Sequence, residues 1–253
     1  MSVDLVVARF NENIQWLHDV SPSIRIIVYD KSVGIRKNND YKSFKSRLIV
    51  HTLPNVGRET DTYLNHIIRY YDDMADTTIF CQGYPFVHSP QFLGLIRPEC
   101  IARYSDIQTL SCQFMVDRGM PPAHIVAKCT DLDILGFHAA LYPYSTYTLD
   151  HTWYADEGIP WIYKNYLSMF NLPNGTNIIK HLFDEVGLKT DSEVGDVAYI
   201  CISALFAVAK ARVTKIPLTV YENIKRLNLT NSAIGYVMER AWMTIFGYKT
   251  ICL

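Results

Sequence analysis

The chain has 253 residues, 49% of them hydrophobic and 19% charged, enough to bury a substantial core in one large α/β domain, the expected arrangement, or in two small ones. Its 24 basic and 25 acidic residues are spread over the whole length for a formal net charge of -1, so no basic block tracks a phosphate backbone and a nucleic-acid partner is not expected. The 6 cysteines never occur as Cys-x-x-Cys, which argues against a zinc knuckle or a disulfide framework and for a reducing compartment.

The N-terminus carries Asp4 where an export signal would have a basic region and a longer apolar stretch. The longest apolar run, 197–209, falls short of the roughly 20 residues a membrane-spanning helix requires, so a cytoplasmic protein without a transmembrane segment is expected. Apolar runs at 4–9 and 24–29 (IRIIVY) predict strands buried on both faces. The stretch between them, with Trp16 and Leu17, predicts a short helix, completing a βαβ unit. After a polar, Lys-rich segment and LIVHTLPN (48–55), Tyr63, Ile67, Ile68 and Tyr71 recur at helical spacing. That helix feeds a third strand, 77–81, which stops at Gln82-Gly83-Tyr84-Pro85, a sequence that must leave the sheet.

Residues 86–150 alternate short apolar pieces with Pro, Tyr and Ser, the pattern of a long insertion or a substrate-contacting loop. Helical patterns follow at 161–170 and 177–186, the second ending at Gly187. AYICISALFAVAK (198–210) has the composition of the most buried strand of the C-terminal half, and 217–227 and 233–246 read as amphipathic helices.

Several segments have residues suited to chemistry. VVARFNENIQWL (6–17) places Arg9, Asn11 and Glu12 just past a strand end, where they can reach a nucleotide base and ribose, or where Asn11 simply caps a helix. In NVGRETDTYLNHI (55–67), Gly57 permits a tight turn, Arg58 is a planar donor for phosphate or carboxylate, and Glu59 orients it or accepts from a sugar hydroxyl. The alternative is a helix start in which Glu59 serves the helix dipole. TIFCQGYPFVHS (78–89) delivers Gln82 and His88 to the ligand edge of the sheet. Asp131-Leu132-Asp133 is either a site for Mn²⁺ or Mg²⁺ or a loop pair. Lys210, Arg212 and Lys215 follow a strand and either offset charge on a leaving diphosphate or form a solvated helix start. Glu239 sits among Val237, Met238 and Trp242, a setting suited to a general base, unless it is an exposed neighbour of Arg240. Asp156-Glu157, flanked by Trp153 and Trp161, is a competing carboxylate pair of the kind found where sugars stack on rings.

Taken in order, VVARFNENIQWL, LPNVGRETDTYL and IFCQGYPFVHS resemble the signature of a family of proteins of unknown function, DUF3431. The tail, ALFAVAKARVTKIPLTVYENI and YVMERAWMTIFG, is similar to that family's tail and also to the acceptor-side strand and acidic helix start of GT-A glycosyltransferases, with Ser203 where the strand motif has glycine. The resemblance implies a single GT-A-like, Rossmann-like domain with a mixed, mostly parallel sheet flanked by helices. Residues 1–89 would be its nucleotide-binding half, 90–195 an acceptor region, and 196–253 the acceptor-side strand and C-terminal helices. It implies transfer of a sugar from a nucleotide-diphosphate sugar to a glycan or other hydroxyl acceptor, without a conventional Asp-x-Asp metal site.

On that reading Arg9, Asn11, Glu12, Arg58 and Glu59 serve the nucleotide, and Gln82 and His88 the donor sugar and diphosphate. Lys210 and Arg212 would offset leaving-group charge, and Glu239 would deprotonate the acceptor in an inverting reaction. Two alternatives stand beside it: a metal-dependent transferase using Asp131 and Asp133, and a non-catalytic carbohydrate-binding or assembly protein of the same fold.

Overall fold

The computed structural model describes residues 1–32, 41–44, 47–111, 140–143, 158–190, 194–195, 197–248 and 250–251. The elements run β1 (Val3–Arg9), β2 (Arg25–Asp30), β3 (Leu48–Thr52), α1 (Arg58–Tyr70), β4 (Thr77–Gln82), α2 (Phe92–Leu95), α3 (Pro98–Ile101), β5 (Ile107–Thr109) and β6 (Ala140–Pro143). They continue with α4 (Gly158–Phe170), α5 (Ile178–Val186), β7 (Val197–Ile200), β8 (Phe206–Ala209), α6 (Lys210–Thr214), α7 (Leu218–Thr230), α8 (Ala233–Ile245) and β9 (Thr250–Ile251). The predicted helix around Trp16 is a 3-10 turn, Gln15–Asp19. No helix among the described residues is long and apolar enough to cross a membrane.

Six strands form one sheet in the order β3-β2-β1-β4-β8-β5. The first four are parallel, and β8 runs antiparallel to both β4 and β5. The mostly parallel sheet flanked by helices agrees with the α/β expectation. β6, β7 and β9 make a separate antiparallel sheet.

Because successive side chains of a strand point to opposite faces, the central strands are apolar on both faces along most of their length and feed two cores. Val6, Ile27 and Phe80 face α1 and α8, packing with Tyr63, Ile67 and Trp242. Leu5, Val7, Ile26 and Ile79 face the other layer, with Trp16, Phe92 and Ile101. The one acid inside β1, Asp4, is buried and matched by Arg25, its register partner on β2, through a bidentate pair at 2.6 and 2.7 Å.

The helix over 177–186 forms as expected. Asn177 Oδ1 accepts from the Ile179 and Lys180 N–H groups, and Gly187 closes the helix at φ 74°. The apolar run at 198–210 corrects the expectation of one strand: it splits into β7, in the small sheet, and β8, in the large one. The break is a 3-10 turn, Ile202–Ala204, in which Ser203 and Ala204 take φ of 59° and 53°. Left-handed backbone at two consecutive non-glycine residues cannot continue a strand.

Candidate functional site

After β1, the chain lays down β2 and β3 on one side, then returns to place β4 on the other side of β1. Open α/β sheets hold ligands at such a reversal, at the carboxyl ends of the strands. An open cleft of ≈ 320 Å³ lies there. The end of β1 contributes Ala8, Arg9, Phe10 and Glu12, the end of β2 Lys31, the start of α1 Asn55, Arg58 and Glu59, and the end of β4 Gln82 and Tyr84.

Two of its cations are committed to the protein. Arg9 is buried and donates from Nε to the Glu12 carbonyl at 3.0 Å and from Nη1 to Asp30 Oδ2 at 3.3 Å and Tyr41 Oη at 3.0 Å. Burial opposes ionisation of Asp30, but hydrogen bonds from Ser32 and Tyr41, with the Arg9 charge, hold its carboxyl below the usual range. Lys31 donates from Nζ to the Val56 and Arg58 carbonyls at 2.6 Å each and pairs with Asp61 Oδ2 at 3.1 Å. Burial lowers its pKa and the Asp61 charge partly restores it. Lys31 thus ties the end of β2 to the first turn of α1. The loop past β1 is likewise tied to the loop past β4. Trp16 Nε1 donates to the Gly83 carbonyl at 2.9 Å, and Glu12 packs where a Gly83 side chain would stand, with Oε2 2.6 Å from the Cβ position.

Arg58 is the cleft cation that reaches solvent, with its side chain 45% exposed. Its guanidinium lies 4.2 Å over the Tyr236 ring and donates from Nη1 to the Tyr236 hydroxyl at 2.8 Å. Glu59, 3.7 Å from Arg58 Nε, is only 9% exposed. Burial raises its pKa, the Arg58 charge opposes this, and Glu239 on α8 adds repulsion that raises it further.

Backbone strain collects around the same sheet edge. Of the five described non-glycine residues at positive φ, four are Asn11, Arg58, Ser203 and Ala204, all near the carboxyl ends of the parallel strands. The 203–204 turn is held from three sides. Glu239 Oε1 accepts from the Ser203 N–H at 2.7 Å, Gln82 Nε2 donates to the Ser203 carbonyl at 3.3 Å, and Tyr63 Oη donates to the Ala204 carbonyl at 3.1 Å.

The structure therefore brings together Arg9, Glu12, Arg58, Glu59 and Gln82, with Asn11 exposed close by at φ 62°. Asn11 does not cap a helix; its N–H donates to Ser32 Oγ, and Asn13 Oδ1 accepts from the Gln15 N–H at the start of the 3-10 turn. Glu239 is a brace for the 203–204 turn rather than a lining residue. His88 lies outside the cleft lining, with a buried Nδ1 that has no hydrogen-bond partner.

Lys210 and Arg212 sit at the opposite end of the sheet, because β8 runs antiparallel to β4 and ends beside Thr77. They are roughly 17 Å away along the strand, at about 3.3 Å per residue. There Lys210 Nζ donates to the Asp72 carbonyl and Arg212 pairs with Asp106 at 3.2 Å. Asp131, Asp133, Asp156 and Glu157 lie outside the described residues, among which no group of three or more His, Cys, Asp or Glu side chains is placed to hold a metal ion.

Lys31, Asp61 and Tyr84 were not singled out by the sequence. Lys31 had a readable signal: it directly follows a buried strand, as Asn11 and Gln82 nearly do, but it opens a Lys-rich segment that reads as solvated.

Residues 5–95 match the model of a family described as a protein of unknown function, DUF3431. Every residue lining the cleft falls inside that match. No curated protein matches the chain.

Proposed function

We propose that the chain is a glycosyltransferase of the GT-A type whose β1/β4 cleft binds a nucleotide-diphosphate sugar. The observation that carries this reading is the convergence of three sequence segments, 8–12, 55–59 and 82–84, on one cleft at the point where strand order reverses. Arg58 faces the diphosphate, and Glu12, Asn55 and Gln82 offer partners to ribose and sugar hydroxyls. Arg9 and Lys31 position the loops that present them.

The acid–base role passes from Glu239 to Glu59: of the two carboxylates that line the cleft, Glu12 accepts from the Phe10 N–H and packs on Gly83, while Glu59 stands beside Arg58. In the transfer, an acceptor hydroxyl oxygen forms a bond to the anomeric carbon. The bond from that carbon to the diphosphate oxygen breaks, its electron pair leaves on the diphosphate, and the hydroxyl proton passes to Glu59. Burial favours proton uptake by this carboxyl, as a base near neutral pH requires.

One observation favours a metal-assisted version. Among the described cleft residues Arg58 is the exposed cation, while Arg9 and Lys31 are buried and committed, so a leaving diphosphate would gain from a divalent cation, for which Asp131 and Asp133, outside the described residues, are the ligands the sequence offers. The test is nucleoside diphosphate release from UDP-, GDP- and TDP-sugars, and nucleoside monophosphate release from CMP-sugars, each with Mn²⁺ and with EDTA. Turnover of one donor supports transfer, and EDTA sensitivity lost in Asp131→Ala supports the metal version. Tight binding without turnover in every condition would leave a carbohydrate-binding protein instead.

A further inference from the structure

Single exposed apolar residues are normal on a protein surface, but Trp161 of α4, 47% exposed, belongs to an array that begins at the cleft. Its indole meets the Tyr236 ring at 5.6 Å and 82°, an edge-to-face contact that sets the direction of the exposed ring. Tyr236 in turn carries Arg58 over its face at 4.2 Å and accepts its Nη1 hydrogen bond at 2.8 Å, and Glu59 lies 3.7 Å beyond, on Arg58 Nε. Reading outward from the cleft, a nearly buried carboxylate, a planar multivalent donor, a braced tyrosine and an open indole follow one another across α1, α8 and α4.

That sequence of groups matches one ligand chemistry. A pyranose has an apolar C–H face that packs on an aromatic ring and a rim of hydroxyls that need donors and acceptors. A planar guanidinium and a carboxylate supply both. The array starts on Arg58 and Glu59 in the cleft lining and continues through Tyr236 and Trp161, which are outside that lining, so a ring packed on Trp161 lies beside the donor cleft. We propose that Trp161 and Tyr236 form the subsite for a pyranose acceptor, with Arg58, held on the Tyr236 ring, at its border with the donor diphosphate. This rests on the reading of the cleft as a sugar-donor site.

Saturation-transfer NMR and tryptophan emission with cellotriose, maltotriose, mannotriose and N-acetylchitotriose, each with and without UDP, test the subsite, alongside calorimetry with UDP-glucose and GDP-mannose. The expected result is that one trisaccharide binds through the C–H protons of one ring. Its affinity should fall about tenfold or more in Trp161→Ala, the scale of losing an aromatic anchor, and recover partly in Trp161→Phe. Nucleotide-sugar affinity in both variants should stay within about twofold of the parent, which also shows that they fold.

Trisaccharide binding unchanged in Trp161→Ala, or no trisaccharide binding by a protein that binds a nucleotide sugar, overturns the subsite and leaves the donor reading standing. Trisaccharide binding lost in Trp161→Ala by a protein that binds no nucleotide sugar supports the subsite and overturns the transferase. Binding of neither class overturns both.

Discussion

Lys31 and Asp61 form an ion pair at 3.1 Å with both side chains buried, at 4% and 3% exposure, beneath the first turn of the helix that faces the cleft. Two buried charges gain little net stability over an apolar pair, but removing one strands the other. Lys31→Met should therefore cost about 3–5 kcal/mol in urea unfolding, since it also frees the Val56 and Arg58 carbonyls. Lys31→Met with Asp61→Leu should recover part of that loss; a double variant as unstable as the single would contradict the pairing.

Gly57 precedes that helix at φ 62°, and a Cβ there would meet Asn228 Nδ2 and, at 2.7 Å, Asp61 Cβ. Both backbone and space exclude a side chain, so Gly57→Ala should destabilise by about 2 kcal/mol or more. Gly94 in α2 has nothing within 4 Å of its Cβ position, so Gly94→Ala should be neutral or stabilising by up to about 1 kcal/mol. Thermal melts of the two variants separate these outcomes, and equal effects would contradict the account of the turn.

His66 is buried against Tyr29, Tyr70 and Phe80, and burial lowers its pKa to about 3. The folded state thus holds it neutral while the unfolded chain protonates near pH 6.5. Its contribution to stability is complete above that value and is lost as pH falls toward about 3. The slope is about 1.4 kcal/mol per pH unit for the one proton. His66→Phe, which keeps the ring contacts, should make the decline between pH 6 and about 4 shallower; an unchanged slope would show that His66 is not the group responsible.

The carboxyl of Glu59 is raised in pKa by burial, so ionisation opposes folding: stability is present below the unfolded-state value and lost as pH rises. Glu59→Gln should therefore melt higher than the parent at neutral pH while losing sugar transfer by about 100-fold or more. In the parent, activity should rise with pH through an acid limb above the ordinary carboxylate range. A variant that loses stability and activity together would mark Glu59 as structural.

The strands at the cleft were legible because β1, β2 and β4 are apolar on both faces and end at Arg9, Asp30 and Gln82, whose polarity breaks the run. The helix over 177–186 was legible from Asn177 and Gly187, where the end chemistry is local. The turn at Ser203 and Ala204 was not, because left-handed backbone without glycine leaves no mark in composition. Missing it made one strand of two. Its direction was also out of reach, since a strand's polarity relative to its neighbour depends on pairing far away in sequence, here Phe206 with Phe80. That is why Lys210 and Arg212 were expected at the cleft and lie at the other end of the sheet. The site itself was half legible: Arg58 and Glu59 were visible as chemistry, but only the fold shows Tyr236, 178 residues away, beneath Arg58.

Calorimetry against a panel of UDP-, GDP-, TDP- and CMP-sugars, with Mn²⁺ and with EDTA, on the parent and on Arg58→Ala tests the donor cleft most directly. The account predicts that at least one nucleotide sugar binds and that Arg58→Ala weakens it by about tenfold, the scale of a charge-assisted phosphate contact. Absence of binding across the whole panel, or binding that Arg58→Ala leaves unchanged, would contradict it.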